Sequence, residues 1–409
     1  MGCTITSDPS IGLALPRGFR DILPTEAREL HAIERTLMET FARYGYVPLE
    51  PPTVEFASSA LALDERRMLR FLDRDGRLLA LRPDVTTAVA RVVAQRYRDA
   101  TAALRLAYFA PIFREEASMR GSEREYDQAG VELIGDPSLR ADAEVIALLA
   151  DALAGCGLLA AEIDVGHVGF FGGFVADLPD ADRERVATAA RAGDLVSAVR
   201  LARESGLSAA RAAALERGLR HRSGDLAAAR RDAPAGSTKA LDALDALGPL
   251  LAAAGVGGAI RFDLGFIPAL PYYSGVVFQV TAPGLGFAIA AGGRYDGLLA
   301  RFGTDRAATG FGITVPHLHQ AIVAAGWQPQ AGAPLLVLAP ADSAEATLAA
   351  AAGLRALGVA VAIGDVAEHA GQDVHRARVV DAAHVEFEGA MRTLEALAAV
   401  LTRTGTTAR

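Results

Sequence analysis

Leu104-Arg-Leu-Ala-Tyr-Phe-Ala-Pro-Ile-Phe113, then a charged run, then Tyr126-Asp-Gln-Ala-Gly-Val-Glu-Leu-Ile-Gly135: this stretch decides how the rest of the chain is read. Leu104, Leu106 and Tyr108 alternate with other residues, the period of a half-buried strand. Residues Glu115 to Glu125 are mostly charged and read as a loop, and the second apolar stretch reads as the returning strand. Two strands joined by a polar loop predict an antiparallel hairpin. Helices flank it. Thr25 offers an N-cap, and Leu30, Ile33, Leu37, Met38 and Phe41 follow at helical spacing up to about Gly45. Beyond the hairpin, Ala143, Ile146, Ala147 and Ala150 share one face of a helix over Ala141–Leu153. The pattern predicts an antiparallel hairpin with helices before and after it.

Working outward, Tyr46-Val-Pro-Leu-Glu-Pro-Pro-Thr-Val-Glu55 has strand-forming residues but three prolines. Proline has no N–H to donate to a ladder, so this is an edge strand or an interface strand. From Phe170 to about Gly255 the chain is rich in Ala and Arg, with Val186, Ala190, Val196, Val199 and Leu201 at helical spacing. This reads as a helical insertion. Strands are expected again at Ile260–Leu264, Gly275–Thr281 and Phe287–Ala290, with Gly292-Gly-Arg-Tyr-Asp-Gly297 as the turn that follows. A helix over His317–Ala325 leads to the Gly- and Pro-rich linker 326–334. Leu335–Leu338, Ala344–Leu357 and Val359–Ile363 then spell strand, helix, strand, a small βαβ unit. The expected organisation is a core in two parts, 1–169 and 256–330, interrupted by the helical insertion 170–255 and followed by a small α/β domain, 331–409.

The 409 residues are 51% hydrophobic and carry a net charge of −8, which excludes a disordered chain and suggests two or three domains. Of 41 basic residues only Lys239 is a lysine, and asparagine is absent. The acidic balance argues against a protein built mainly to hold nucleic acid. Cys3 and Cys156 form no zinc pattern, and no metal site is expected. Met1–Ala14 lacks the basic and apolar runs of a secretory signal, and no apolar run reaches the roughly 20 residues of a membrane span. A soluble cytoplasmic protein with no membrane contact is expected.

One constellation carries possible chemistry. Arg82-Pro-Asp-Val-Thr86, Arg114-Glu-Glu116, Gln128-Ala-Gly-Val-Glu132 and Tyr272-Tyr273 fall at strand ends or turns. Asp84, Gln128 and Glu132 are acceptors suited to an ammonium group or a protonated imidazole. Arg114 suits a carboxylate or phosphate through its two-donor fork. Gln128 and Glu132, an even number of residues apart on a strand, face the same side. Any one of these alone reads as a solvated strand-end charge; their recurrence along an apolar hairpin points to a site. Gly292–Gly297 lacks the spacing of a dinucleotide loop and the lysine of a P-loop, and alone reads as a tight turn. His317 and His319, two apart on a helix, are poor co-ligands.

At these residues the chain resembles class II histidyl-tRNA synthetases over roughly residues 14–325. Pro16-Arg-Gly-Phe-Arg-Asp21 is similar to the family's opening segment. Pro51 or Pro52 falls where the dimer-interface proline of motif 1 belongs. Leu81-Arg-Pro-Asp-Val-Thr86 resembles LRPEGT with Asp84 in place of Glu. Phe113-Arg-Glu-Glu116 through Gln128-Ala-Gly-Val-Glu132 resembles motif 2 and its return strand. Pro271-Tyr-Tyr-Ser-Gly275 is similar to the histidine-specific DYYTG turn, and Ala291-Gly-Gly-Arg-Tyr-Asp-Gly-Leu298 is nearly the family consensus. The resemblance implies an α+β fold with a class II aminoacyl-tRNA synthetase-like antiparallel sheet core, and a histidine-like pocket made of Asp84, Thr86, Arg114, Gln128, Glu132, Tyr272 and Tyr273.

The departures decide the function that the resemblance implies. Pro268-Ala-Leu-Pro-Tyr-Tyr273 puts Pro268 where RGLDYY has an activating arginine. Motif 3 reads Gly310-Phe-Gly-Ile-Thr-Val-Pro-His-Leu318, with Pro316 in place of a glutamate and His317 in place of the arginine that meets ATP. Residues 331–409 carry nine Asp/Glu against six Arg, a net −3, where a synthetase would place a basic anticodon-binding domain. A pocket that keeps its ligand contacts and loses its chemistry resembles the synthetase-like regulatory subunit of ATP phosphoribosyltransferase. That family implies no catalytic residues and no cofactor of its own, and no tRNA. It implies a homodimer within a hetero-oligomer with a short catalytic subunit, and histidine as effector of the first step of histidine biosynthesis. Whether histidine meets this pocket or a subunit interface stays open at this stage, as does a nucleotide in its place. The alternative is a divergent histidyl-tRNA synthetase.

Overall fold

The structure, a computed structural model, describes residues 13–59, 67–115, 123–221, 225–328, 334–364 and 374–404, and of 402–404 the backbone alone. Cys3, Glu116, the loop tip 116–122 and linker residues 329–333 lie outside the described residues.

The chain opens with helix α1 (Pro24–Arg43). Pro24 is its first residue, so Thr25 sits inside the first turn and not at its cap; proline's fixed φ suits that position. Short strands β1 (Val47–Pro48), β2 (Val54–Phe56), β3 (Arg70–Leu72) and β4 (Leu78–Leu81) precede helix α2 (Val85–Arg96). The hairpin follows as β5 (Leu104–Phe113) and β6 (Glu125–Ile134), ten residues each, paired antiparallel along their whole length from Leu104↔Ile134 to Phe113↔Glu125. Helix α3 (Leu139–Gly155) and strand β7 (Glu162–His167) lead into six consecutive helices. These are α4 (Val168–Val175), α5 (Asp180–Arg191), α6 (Leu195–Glu204), α7 (Ala209–Leu219), α8 (Leu226–Asp232) and α9 (Thr238–Ala253). Strands β8 (Ile260–Phe262), β9 (Val276–Thr281), β10 (Ala290–Arg294) and β11 (Ala308–Thr314) and helix α10 (Val315–Ala324) complete this part. The remainder is β12 (Leu335–Ala339), α11 (Ala344–Ala356), β13 (Ala360–Ile363), β14 (Val374–Val379), β15 (His384–Phe387), β16 (Ala390–Thr393) and α12 (Leu394–Thr404).

Two compact units emerge: Met1–Arg20 with Ile33–Trp327, and Asp21–Ala32 with Gln328–Arg409. In the first, the described strands form an eight-stranded sheet of order β1-β5-β6-β11-β10-β9-β7-β8. Its six central strands are antiparallel neighbours, and the edge strands β1 and β8 pair in parallel. The proline-bearing β1 pairs through Val47 and Pro48 alone and sits at the edge, where a missing N–H costs least. A second sheet, β2-β4-β3, lies in the same unit. Val85, Val89 and Val93 of α2 pack on Leu106, Tyr108 and Ile112 of β5. In the second unit β12 and β13 are parallel around α11, and β14, β15 and β16 extend that sheet. Leu336, Leu338, Leu354, Val385, Phe387 and Leu397 form its core.

Two expectations fail here for physical reasons. The strand predicted at Phe287–Ala290 runs instead over Ala290–Arg294, so Gly292 and Gly293 are strand residues rather than a turn. A Cβ on Gly292 would stand 2.4 Å from the Gly310 carbonyl and 2.5 Å from the Phe278 ring. Glycine there permits close strand approach. In α6, Val196 is 81% exposed, and Ala198 and Ala202 form the buried face.

Candidate functional site

Asp84, Thr86, Arg114, Gln128, Glu132, Tyr272 and Tyr273 line one cavity of about 150 Å³ on the central sheet. Asp84 and Thr86 reach it from the start of α2. Asp84 is the helix N-cap: its carboxylate accepts from the Thr87 N–H and the Thr87 hydroxyl, each at 2.8 Å. The family's longer glutamate is thus replaced by a residue suited to capping. Arg114, just past β5, donates its Nε–H to the Pro83 carbonyl at 2.7 Å and so ties the hairpin to the turn before α2.

Gln128 and Glu132 lie within β6 rather than at its end, both on the cavity side. Their register partners on β11 are Thr314 and Gly310. A Cβ on Gly312 would come within 2.7 Å of Gln128 Nε2, and one on Gly310 within 2.1 Å of Glu132 Oε2. The two glycines of the motif 3 strand therefore leave room for the Gln128 and Glu132 side chains to lie across it. Tyr108 of β5 donates to Gln128 Oε1 at 3.4 Å.

Glu132 is 1% exposed. The Tyr295 hydroxyl donates to its Oε2, and its Oε1 meets no hydrogen-bond partner among the described residues. Burial pushes this carboxyl up to about 8, against the opposing pull of the Tyr295 hydroxyl and of the nearby Thr86 hydroxyl. Tyr272 and Tyr273 come from the segment between β8 and β9. Their rings lie 4.9 Å apart, and Tyr272 meets Tyr295 edge-on at 5.7 Å. Burial raises the phenol of each above its usual value.

Sequence reasoning missed Tyr108, Tyr295, Gly310 and Gly312, all of which line the cavity. Tyr108 was read as one more apolar strand residue, though its even spacing along β5 carried the signal. Tyr295 stands in the sequence inside a supposed turn and a family-like stretch, and neither gives it a place in the pocket. Arg294 beside it is nine-tenths buried and chelates Asp142 of α3 at 2.9 Å, which fixes β10 against that helix. Pro268 and His317 do not line the cavity. The Pro268 carbonyl accepts from Arg191 at 3.1 Å. His317 donates its Nδ1–H to the Ala288 carbonyl at 2.8 Å and lies on Phe287 with ring centroids 4.0 Å apart. Among the described residues no cluster of His, Cys, Asp and Glu could hold a metal ion.

An antiparallel sheet flanked by helices, with acceptors and one arginine converging over motif-like strands, defines a class II aminoacyl-tRNA synthetase-like protein. Residues 18–318 match the family model described as histidyl-tRNA synthetase. A relative from Moorella thermoacetica, named ATP phosphoribosyltransferase regulatory subunit, is 38% identical over 76% of this chain and 82% of its own length. One of the same name from Symbiobacterium thermophilum is 37% identical over 90% of this chain and 94% of its own. A solved structure from Bacillus halodurans, described as an ATP phosphoribosyltransferase regulatory subunit/histidyl-tRNA synthetase, superposes with a TM-score of 0.78. It is 30% identical over 89% of this chain and 98% of that one. The histidyl-tRNA synthetase of a Nostoc species, at 18% identity and a TM-score of 0.75, shares the fold. The chain belongs to the histidyl-tRNA synthetase-like family of ATP phosphoribosyltransferase regulatory subunits.

Proposed function

We propose that this chain is a non-catalytic regulatory subunit of ATP phosphoribosyltransferase, needed by a short catalytic subunit for activity and for feedback inhibition by histidine. Free histidine occupies the cavity on the central sheet. The observation that carries this reading is the unpartnered Oε1 of Glu132, a buried acceptor that a ligand's N–H would satisfy. Leaving such a group unmet costs about 1–3 kcal/mol, which a cationic or N–H-bearing ligand would recover. Asp84 and Gln128 add acceptors for the amino acid's second nitrogen group, and Arg114 offers donors to its carboxylate. About 150 Å³ is small beside the roughly 300–1,000 Å³ of sites for larger ligands, which favours a free amino acid over a nucleotide.

The reading places the subunit in the cytoplasm as a homodimer formed through the motif 1 strand, bound to the catalytic subunit, with no tRNA partner and no aminoacylation of its own. Histidine inhibits if it binds the inhibited assembly more tightly than the active one, because a ligand shifts only equilibria whose states it distinguishes. Mixing the pure chain with a short catalytic subunit tests this: phosphoribosyl-ATP formation should rise, and histidine should suppress it. No activation on mixing would overturn the proposal.

A further inference from the structure

The segment 263–275, which carries Leu270, Tyr272 and Tyr273 into the cavity, is gripped from behind by the helical segment α4–α9. Its Leu264 N–H donates to the His221 carbonyl at 3.0 Å, two residues beyond the end of α7. Arg191, the last residue of α5, donates its Nε–H to the Pro268 carbonyl at 3.1 Å. Between this second anchor and the tyrosines lie only Ala269, Leu270 and Pro271. Proline locks φ, so with Pro268 and Pro271 bracketing the stretch, little of a movement at Tyr272 can be absorbed locally. On the cavity side, Tyr272 leans on Tyr295, and the Tyr295 hydroxyl holds the Glu132 carboxyl. A continuous series of contacts therefore runs from the unpartnered acceptor to α5 and α7. Among the described residues, none of 170–255 lines the cavity.

We infer that Arg191 is a positioning residue of this cavity, and that the helical segment reads the cavity's occupancy through the 263–275 segment. This inference rests on the reading of the cavity as a site for free histidine. It also gives Pro268 a use: where the synthetase pattern has an arginine directed at the ligand, this chain presents a carbonyl to an arginine of its helices.

Hydrogen–deuterium exchange on the full chain, with and without L-histidine, tests it. Exchange should slow at the cavity strands and, together with them, at the Leu264 amide and in α5 and α7. Arg191→Met, at a partly exposed side chain, should weaken L-histidine binding by about two- to tenfold and abolish the protection in α5. Arg191→Lys, which keeps a donor for the carbonyl, should restore both. Protection confined to the cavity strands of the parent overturns the inference while leaving the histidine reading intact. So does an Arg191→Met variant that merely melts earlier, with affinity and exchange pattern unchanged. No binding and no protection anywhere would sink the histidine reading, and this inference with it.

Discussion

Glu132 has one oxygen on Tyr295 and the other without a hydrogen-bond partner among the described residues, at 1% exposure, so its charge state and its ligand are linked. With burial pushing the carboxyl up to about 8, it is protonated at neutral pH when no cation lies beside it. A cation entering beside it favours the carboxylate, so binding releases a proton, and affinity for the cationic ligand rises as pH climbs towards 8. Calorimetry in two buffers of different ionisation heat measures that release directly; identical apparent enthalpies near pH 7 would contradict it. The folded chain also keeps a proton that the unfolded chain sheds above the ordinary 4.5, so unfolding gains ground as pH rises from 4.5 to 8. This stabilisation is full below about 4.5 and gone above about 8. Glu132→Gln should flatten that slope in denaturant titrations and weaken histidine binding at least tenfold. Unchanged affinity in the variant would reject the site. All seven residues expected from the family resemblance line the cavity; Arg114, Gln128 and Glu132 also stood out by themselves, as an arginine and acceptors on an apolar hairpin, whereas Asp84, Thr86, Tyr272 and Tyr273 lie outside it. Tyr295 and the two glycines were not legible as site residues, since their value lies in contacts across strands that no linear spacing reveals.

Among elements, α2 shows one residue serving two purposes. Asp84 caps the helix with both oxygens while lining the cavity, so its removal confounds stability with binding. Asp84→Ala should cost about 0.5–2 kcal/mol in chemical denaturation through the lost cap. Asp84→Asn, itself a good cap, should keep most of that stability yet still weaken binding of a cationic ligand. If both variants lose stability equally, the charge and not the cap holds α2. The β5–β6 hairpin was legible because Leu104, Leu106 and Tyr108 alternate along the first strand and a charged run separates two apolar stretches, which the structure forms as ten-residue strands. β10 was not: two adjacent glycines announce a turn until the neighbouring backbone that requires them is known. The partner strands β9 and β11, which demand a bare Cα at Gly292, are set by pairings as distant as Gly292↔Phe278 and Gly292↔Phe311.

At the scale of the whole molecule, the question is whether a synthetase fold still performs synthetase chemistry. Adenylation needs positive charge on ATP and on the developing transition state, and a charge-assisted hydrogen bond supplies about 1.5–3 kcal/mol. At both positions where the family pattern supplies it, this chain has a residue engaged with other partners. Pro268 offers only a carbonyl, already bonded to Arg191, and His317 is tied to Ala288 and stacked on Phe287. Losing two such contacts removes roughly two to four powers of ten in rate if they act independently. The net charge of −3 over 331–409, nine acidic residues against six arginines, argues in the same direction, since RNA phosphates favour a basic surface. Histidine-dependent exchange of pyrophosphate into ATP should therefore be at background for the pure chain. His317→Arg alone should not restore it, because the Pro268 position stays without a cation. The same preparation must bind histidine, so that silence in the exchange assay reflects lost chemistry and not an empty cavity. Exchange above background would mean that the fold has kept a catalytic route through other residues, and the regulatory reading would fall.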